Sequence, residues 1–261
     1  MLIRMHGTRG SIPQPSQTEK YGGNTSCYEV LLDGFQIVFD TGTGFQNVKL
    51  DMERETFILY SHFHHDHLQG LPFNASVFSH SEPIYLSSAL VNRNVLRNMV
   101  QTYFSGGYFP VDIVNVLKQL KFMNVATIQR KLAPKIELDV IELNHPGGSM
   151  GYSIKTDTGK FTYLLDNEYL ESQLESLLAF VKGSDLVIWD GMFTDEELVS
   201  KVGWGHSSIE QACTFAEAAD IGHLSISHHN PPRTDAEFDS IAKTLSSSKV
   251  SFAIQGSEVR I

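Results

Sequence analysis

The sequence predicts a layered α/β fold, and three features of the chain support this. Short apolar runs rich in β-branched and aromatic residues alternate with segments in which apolar residues recur at helical spacing. Nearly every apolar run ends on a polar residue, which is typical of an α/β enzyme. The chain has 261 residues, of which 41% are hydrophobic, so it can bury a substantial core. Layered folds of this length often form one unit, and we expect a single domain over 1–261.

The first predicted strands form a hairpin. Two β-rich runs within 26–40 flank Asp33-Gly34, a dipeptide typical of a type I′ turn. Further strands are predicted at 56–61, 83–86, 135–143, 150–155, 161–165, 185–190 and 224–227.

Four helices are predicted between these strands. One follows 83–86 and ends near residue 100, and a second covers 170–181 and is stopped by Gly183. A third follows a capping box formed by Ser207 and Glu210 and is closed by Gly222. The last begins near residue 234 and extends to Leu245. Residues 101–125 are predicted to form a loop followed by a short helix.

Charge and composition exclude several classes of protein. The formal net charge of −10, without clusters of Lys or Arg, disfavours general binding of polyanions. Cys27 and Cys213 lie far apart and neither belongs to a C-x-x-C pair, which argues against disulfides and a cysteine zinc site. The chain has no apolar run of membrane-spanning length and no signal-peptide pattern, so we expect a cytoplasmic protein without a membrane segment.

A histidine cluster follows the predicted strand 56–61. Four histidines occur within the six positions 62–67, which also contain Asp66. In an extended segment, residues i and i+2 point the same way, so His62 and His64 can share one metal ion. A turn would then bring Asp66 and His67 to a second ion. Imidazole and carboxylate suit zinc, manganese or iron. The alternative is a solvated polar loop, which the preceding apolar strand disfavours.

This H-x-H-x-D-H pattern after an apolar strand resembles the signature of the metallo-β-lactamase superfamily. The resemblance extends over nearly the whole chain and implies a four-layer αββα sandwich. It also implies three further ligands at strand ends, for which His145, Asp166 and His228 match. His229 competes with His228, but the L-x-I-x-H spacing after Leu224 favours His228. The implied centre holds two divalent ions, with zinc favoured over manganese or iron, one on His62, His64 and His145, the other on Asp66, His67 and His228, with Asp166 shared.

Three motifs resemble the branch that contains ribonuclease Z and the phosphoribosyl cyclic phosphodiesterases. Residues 66–72 (DHLQGLP) match its D-H-x-x-G-L-P, and 7–13 with 23–26 resemble its N-terminal loop and first strand. Residues 205–208 (GHSS) resemble its H-S-T motif. In that branch a histidine paired with an upstream acid donates a proton, which implies these roles for His206 and Asp190. The implied reaction is attack of a metal-bridging hydroxide, oriented by Asp66, on phosphorus, with His206 protonating the leaving group.

Several residues are expected to support this centre or to contact substrate. Asp40 is expected to accept a hydrogen bond from a metal-bound imidazole. Asn24 and Ser26 either bind phosphate or pack the hairpin, and Ser207 begins a helix whose N–H groups suit an anion. His65 is expected to point away from the metals, where it is free to contact substrate. The aromatic residues of 101–111 either form a substrate lid or pack in the core: Tyr103, Phe104, Tyr108 and Phe109.

The expected substrate is a small or cyclic phosphodiester or a nucleotide. A long basic arm rich in Gly and Pro, which ribonuclease Z uses to hold tRNA, is not found in the sequence, so a large nucleic acid is expected to be unlikely. A thioesterase or lactonase similar to glyoxalase II would use the same seven ligands and is the alternative enzyme. A non-catalytic metal-dependent sensor is the other alternative. The resemblance also implies a possible homodimer.

Overall fold

A computed structural model describes residues 1–16 and 18–261. The strands in this part of the chain are β1 (Leu2–Gly7), β2 (Cys27–Leu32), β3 (Phe35–Phe39), β4 (Glu55–Tyr60), β5 (Ile84–Ser88), β6 (Leu120–Phe122), β7 (Glu137–Leu143), β8 (Ser149–Lys155), β9 (Lys160–Leu164), β10 (Ser184–Asp190), β11 (Ile221–Ser227), β12 (Val250–Phe252) and β13 (Glu258–Arg260). The α-helices are α1 (His65–Leu68), α2 (Ala75–Ser79), α3 (Arg93–Tyr103), α4 (Ile113–Val116), α5 (Val125–Leu132), α6 (Leu174–Val181), α7 (Asp195–Leu198), α8 (Ile209–Ala218) and α9 (Asp235–Ala242). Single 3₁₀ turns occur at Thr43–Asn47, Leu71–Phe73 and Glu171–Gln173.

The strands form two sheets. One has the order β13-β1-β2-β3-β4-β5-β6, and the other has the order β12-β11-β10-β9-β8-β7. Successive side chains of a strand point to opposite faces, and β4 shows this clearly. Phe57 and Leu59 enter a core shared with Tyr152 and Ile188 of the other sheet, whereas Ile58 and Tyr60 face outward. The two sheets therefore pack face to face through one apolar layer.

Helices cover the two outer faces. Leu96 and Val100 of α3 pack on the outer side of the first sheet. Phe215 of α8 and Phe238 of α9 pack on the outer side of the second sheet. The order of layers is therefore helix, sheet, sheet, helix, and the predicted αββα sandwich is confirmed. The extent of a single domain over the whole chain stays a prediction.

Each predicted strand overlaps an observed strand, but several details of the prediction were wrong. Asp33-Gly34 connects β2 to β3 with Leu32 opposite Phe35, yet only Gly34 has a positive φ (75°), so the turn is not type I′. The region 101–125 contains the end of α3, then α4, β6 and the start of α5 rather than a loop and one helix. Gly222 lies inside β11, and Leu245 lies beyond the end of α9.

The third helix begins one residue later than predicted. Ser208, not Ser207, is the N-cap of α8, and its hydroxyl accepts the Gln211 N–H at 3.0 Å. Ser207 fails as the cap because its hydroxyl donates to the Asn167 carbonyl and accepts the Tyr169 N–H. Its side chain is fully buried, between the chain after β9 and the start of α8.

The candidate functional residues lie at one end of the sandwich. Strands β3 and β4 are parallel, and so are β9, β10 and β11, so their carboxyl ends meet at this end. Asp40, Ser61, Asp166 and Asp190 stand at or just beyond those ends, together with the histidine pair 228–229. In the described residues no helix is long and apolar enough to cross a bilayer.

Candidate metal centre

Two groups of side chains converge at the carboxyl ends of the strands. After β4 the backbone stays extended through His64, which is the N-cap residue of α1. The single turn of α1 then carries Asp66 and His67. Potential ligand atoms of one group lie within 4.8 Å of one another, and so do those of a second group. The first group is His62, His64, His145 and Asp166, and the second is Asp66, His67 and His228. All seven residues expected as ligands are thus brought together.

Asp166 lies between the two groups. Its Oδ1 is 3.2 Å from Nε2 of His67, and its Oδ2 is 3.3 Å from Nε2 of His228. The same Oδ2 is 3.6 Å from Nε2 of His62 and 3.7 Å from Nε2 of His145. Because Oδ2 lies near members of both groups, this carboxylate has the placement that a shared ligand requires.

Several buried polar atoms in this cluster have no hydrogen-bond partner. They include Nε2 of His62, Nε2 of His67 and Oδ1 of Asp166. An unpaired buried polar atom costs about 1–3 kcal/mol, so such a cluster needs another partner. Imidazole nitrogens and carboxylate oxygens around a common centre are the donor set that zinc and similar divalent cations prefer. The residues present therefore fit divalent metal ions.

Hydrogen bonds on the far side of two imidazoles orient their ligand nitrogens. Asp40 Oδ2 accepts from His67 Nδ1 at 2.8 Å, and the Gly205 carbonyl accepts from His145 Nδ1 at 2.8 Å. With the proton held on Nδ1, each ring in its neutral form turns an unprotonated Nε2 to the centre. Asp40 is fully buried and also accepts from Ser61 N–H, Ser61 Oγ and the Tyr163 hydroxyl at 2.7–2.8 Å. Asp40 thus makes the kind of contact that was expected of it.

The protonation states also suit a cation site. Burial holds the pKa of His62 well below its ordinary value and lowers those of His64 and His145. Burial alone would raise the pKa of Asp166, but the charges of His228, His67 and His62 hold it well below its ordinary value. His62, His64 and His145 are therefore neutral and Asp166 is ionised at neutral pH, which are the forms that bind metal. Burial would lower the pKa of His67, but the carboxylates of Asp166, Asp66 and Asp40 hold it well above its ordinary value, so metal binding there displaces a proton.

Backbone strain in the described residues concentrates at this end of the fold. Apart from glycine, positive φ angles occur at Ser11 (58°), Asp40 (59°), Asp166 (35°) and His228 (56°). Three of them belong to the cluster or support it, and the Ser11 N–H donates to Asp66 Oδ2 at 2.8 Å. Such conformations cost about 1–3 kcal/mol each and persist where a functional arrangement requires them.

His206 and Asp190 form an ion pair beside the second group. Nδ1 of His206 lies 2.7 Å from Oδ2 of the fully buried Asp190. The His206 ring stacks on His228, with centroids 4.6 Å apart and planes 20° apart. Burial would lower the pKa of His206, but the charge and hydrogen bond of Asp190 raise it to about 9. In the metal-free protein His206 is therefore a buried imidazolium next to the candidate metal centre.

A family model described as "Beta-lactamase superfamily domain" matches residues 36–229 of the chain. The chain belongs to this superfamily. The matched range contains all seven cluster residues together with His206 and Asp190, and it begins within β3. Membership of the superfamily and the two side-chain groups together indicate binding of divalent metal.

Similar proteins place the chain more closely within the superfamily. Ribonuclease Z of Clostridium perfringens is 23% identical, over 88% of this chain and 88% of that protein. The structure of human tRNase Z, short form, matches with a TM-score of 0.70 and 19% identity over 100% of this chain and 99% of that one. A diphosphatase of the PhnP family matches with a TM-score of 0.70 and 16% identity, covering 100% and 97% of the two chains. The predicted hydrolase of the metallo-β-lactamase fold, in the ribonuclease Z-like branch, is confirmed.

The other residues predicted to contact substrate differ in burial and in hydrogen-bond partners. His65 is exposed on α1, belongs to neither metal group and hydrogen-bonds to the Tyr103 hydroxyl. The Asn24 side chain accepts from Gln46 Nε2 at 3.2 Å, and Ser26 is fully buried with an unpartnered hydroxyl. Of the aromatic residues in 101–111, Phe104 is in the core, Tyr103 and Phe109 are half-buried, and Tyr108 is exposed. The roles of these residues stay predictions.

Sequence reasoning missed Arg9 as a support of the centre. Its guanidinium is completely buried and donates to the carbonyls of Gly22, Asn230 and Arg233 at 2.8–3.1 Å. These bonds hold the chain that follows His228. The neighbouring Gly10 packs so tightly that an added Cβ would lie 2.5 Å from the His228 ring. The motif 7–13 contained this signal, but without the fold it indicated only a resemblance.

Proposed function

We propose that this protein is a metal-dependent phosphodiesterase with a dinuclear centre. The observation that carries the proposal is the two side-chain groups with Asp166 between them, and the His206–Asp190 ion pair directly beside them. A metal pair alone is common to many hydrolases of this fold. A buried imidazolium next to it adds the proton donor that an alkoxide leaving group requires. Relatives named ribonuclease Z and diphosphatase support the same class of reaction.

The residues divide the work as follows. His62, His64 and His145 would hold one ion, Asp66, His67 and His228 the other, and Asp166 both. Two divalent ions bound there supply an activated water and neutralise charge on the phosphoryl oxygens. Zinc fits this set of imidazoles and carboxylates well, and manganese or iron would also accept it. The Ser11 N–H donates to Asp66 Oδ2 at 2.8 Å, and in this proposal Asp66 orients the attacking water.

His206 provides the proton for the leaving oxygen. Asp190 accepts from Nδ1, so the proton available for transfer is the one on Nε2. In the metal-free protein the charge and hydrogen bond of Asp190 raise the pKa of His206 to about 9, so Asp190 stabilises the protonated form that donates. Asp190 is itself held by the N–H groups of Met192 (3.2 Å) and Asn167 (3.3 Å). The acid is thus fixed in position before substrate arrives.

The size of the substrate is less constrained than the sequence suggested. The relatives named ribonuclease Z and tRNase Z do not support the expectation that a large nucleic acid is unlikely. The net charge of −10 still favours a small phosphodiester, because contacts to a long phosphate backbone need cationic side chains. We therefore propose a small or cyclic phosphodiester as the substrate and treat structured RNA as a direct comparison. The homodimer implied by the resemblance stays a prediction.

Turnover of a substrate panel with added Zn²⁺ or Mn²⁺ tests the proposal. The panel comprises bis-p-nitrophenyl phosphate, nucleoside 2′,3′-cyclic phosphates, a precursor tRNA, a thioester and a lactone. We expect phosphodiester hydrolysis that depends on metal, collapses in Asp66→Ala and persists in Asp157→Ala, a control at an exposed turn. Hydrolysis of the thioester or lactone without any phosphodiester would overturn the proposal in favour of a glyoxalase II-like enzyme. Metal binding without any turnover would instead indicate a sensor.

A further inference from the structure

The loop 203–206, between α7 and α8, carries two parts of the site at once. The carbonyl of Gly205 accepts the hydrogen bond from Nδ1 of His145, and the next residue is His206. Gly205 lies so close to His145 that an added Cβ would be 2.1 Å from Nδ1 of that ring. A small movement of this loop would therefore disturb both a metal-binding imidazole and the proton donor.

One carboxylate holds this loop in place. Both oxygens of Glu168 accept the N–H of Gly203, at 2.8 and 2.9 Å, and Oε2 also accepts the N–H of Gly205 at 2.8 Å. Gly203 and Gly205 have φ angles of 86° and 89°, in the left-handed region that favours glycine. Hydrogen bonds from N–H groups to a carboxylate are roughly twice as strong as neutral ones. Glu168 thus stabilises a loop conformation that the backbone alone does not favour.

The base of Glu168 is itself anchored beside the metal groups. Its N–H donates to the Asn144 carbonyl at 2.8 Å, and its carbonyl accepts from Asn144 Nδ2 at 2.9 Å. Asn144 directly precedes His145, and Glu168 lies two residues after Asp166. In the described residues Glu168 belongs to no salt bridge, so its charge is directed at the loop N–H groups. The hydrogen bonds of Glu168 thus connect three segments that carry functional residues: 144–145, 166–168 and 203–206.

We propose that Glu168 is a positioning residue that, through Gly203 and Gly205, orients His145 for metal binding and His206 for proton donation. This inference rests on the proposed phosphodiesterase function for its second half, whereas the first half concerns metal affinity alone. Glu168 does not touch the reacting atoms. Its effect is transmitted through the backbone of the loop, and its loss should separate reactions that need the acid from those that do not.

The test compares Glu168→Ala and Glu168→Gln with Glu171→Ala, an exposed control nearby in the chain. Metal affinity is measured by competition with a chromophoric chelator, and turnover is measured at saturating metal. Turnover is followed on a nucleoside 2′,3′-cyclic phosphate, whose alkoxide needs a proton, and on bis-p-nitrophenyl phosphate, whose weakly basic phenolate does not. For Glu168→Ala we expect metal affinity to fall about 10–100-fold. We expect kcat to fall about 100-fold on the cyclic phosphate and less than about fivefold on the phenyl ester.

Glu168→Gln should give an intermediate result. Its amide oxygen in place of Oε2 can accept from Gly203 and Gly205, but its N–H₂ in place of Oε1 would face the Gly203 N–H. This variant also decides the matter if Glu168→Ala does not fold. Equal losses of kcat on both substrates would contradict the proposal, since a general structural defect does not distinguish leaving groups. Metal affinity and turnover matching those of Glu171→Ala would overturn it. Absence of phosphodiester turnover in the wild type would refute the proposed function, while the metal-affinity measurement would still test the effect on His145.

Discussion

Replacing Asp40 with Asn should weaken both the fold and the metal centre. The buried Asp40 carboxylate accepts three donors on Oδ2, from Ser61 Oγ, His67 Nδ1 and Tyr163, and the Ser61 N–H on Oδ1. Asn is nearly isosteric and tolerates the φ of 59° at this position, so backbone strain does not confuse the result. An amide oxygen in place of Oδ2 can still accept all three hydrogen bonds. Because this acceptor is neutral, each hydrogen bond becomes weaker by about 1 kcal/mol. The amide N–H₂ then opposes the Ser61 N–H, which costs about 1–3 kcal/mol more.

Removing a buried charge offsets part of this loss, and we expect the free energy of unfolding to fall by about 3 kcal/mol. For a chain of this size, that corresponds to a Tm lower by roughly 6–12 °C. Metal affinity should fall about 10–100-fold, because His67 loses the charged partner that orients it. Urea unfolding of the metal-free protein and chelator competition measure the two effects, with Asp157→Asn as the exposed control. A Tm and metal affinity equal to those of the control would refute the role assigned to Asp40.

Gly10→Ala should lower metal affinity because its Cβ would lie 2.5 Å from the His228 ring, whereas Gly107→Ala, which meets nothing within 4 Å, should leave chelator competition unchanged. In the metal-free protein the pKa of His206 is raised to about 9, above the value of about 6.5 for an unfolded histidine. The protonated ring therefore stabilises the fold fully below pH about 6.5, and this contribution is lost as the pH rises through about 9. The loss should be roughly 3 kcal/mol in urea unfolding and should shrink in Asp190→Asn; an unchanged pH profile in that variant would contradict the pairing. Removing bound metal with a chelator should lower Tm, and adding metal back should raise Tm with the logarithm of the ratio of metal concentration to Kd. A Tm that does not change with metal would contradict a resident cation.

Predictability from sequence followed the strength of the local signal. Strands such as β4 and β10 are apolar and end near polar residues, so the strands could be located from the pattern alone. The roles of Asp166, Asp190 and His228 at strand ends came from the family resemblance. The parallel arrangement of these strands then brings their ends together without further information. The edge strands β6, β12 and β13 have three residues each, too few for a periodic pattern, and they were not predicted.

Features that depend on distant contacts could not be found in the same way. Arg9 is buried because it meets carbonyls more than 200 positions away, and an arginine in a loop is ordinarily expected at the surface. The sequence predicted Ser207 as the cap, and only its contact with the distant Asn167 carbonyl explains why Ser208 takes that place. The pairing of His206 with Asp190 came from a resemblance, and the geometry then supplied the physical reason for it.

The most direct test of a dinuclear phosphodiesterase is metal content measured alongside turnover. Metal-free protein is titrated with Zn²⁺ or Mn²⁺, and bound equivalents per chain are determined by elemental analysis while hydrolysis of a cyclic phosphodiester is followed. We expect two equivalents to bind and the rate to rise with the second one, with His206→Ala retaining both ions but losing about 10²–10⁴-fold in rate. Two bound equivalents without hydrolysis, or full hydrolysis with no bound metal, would contradict the central claim.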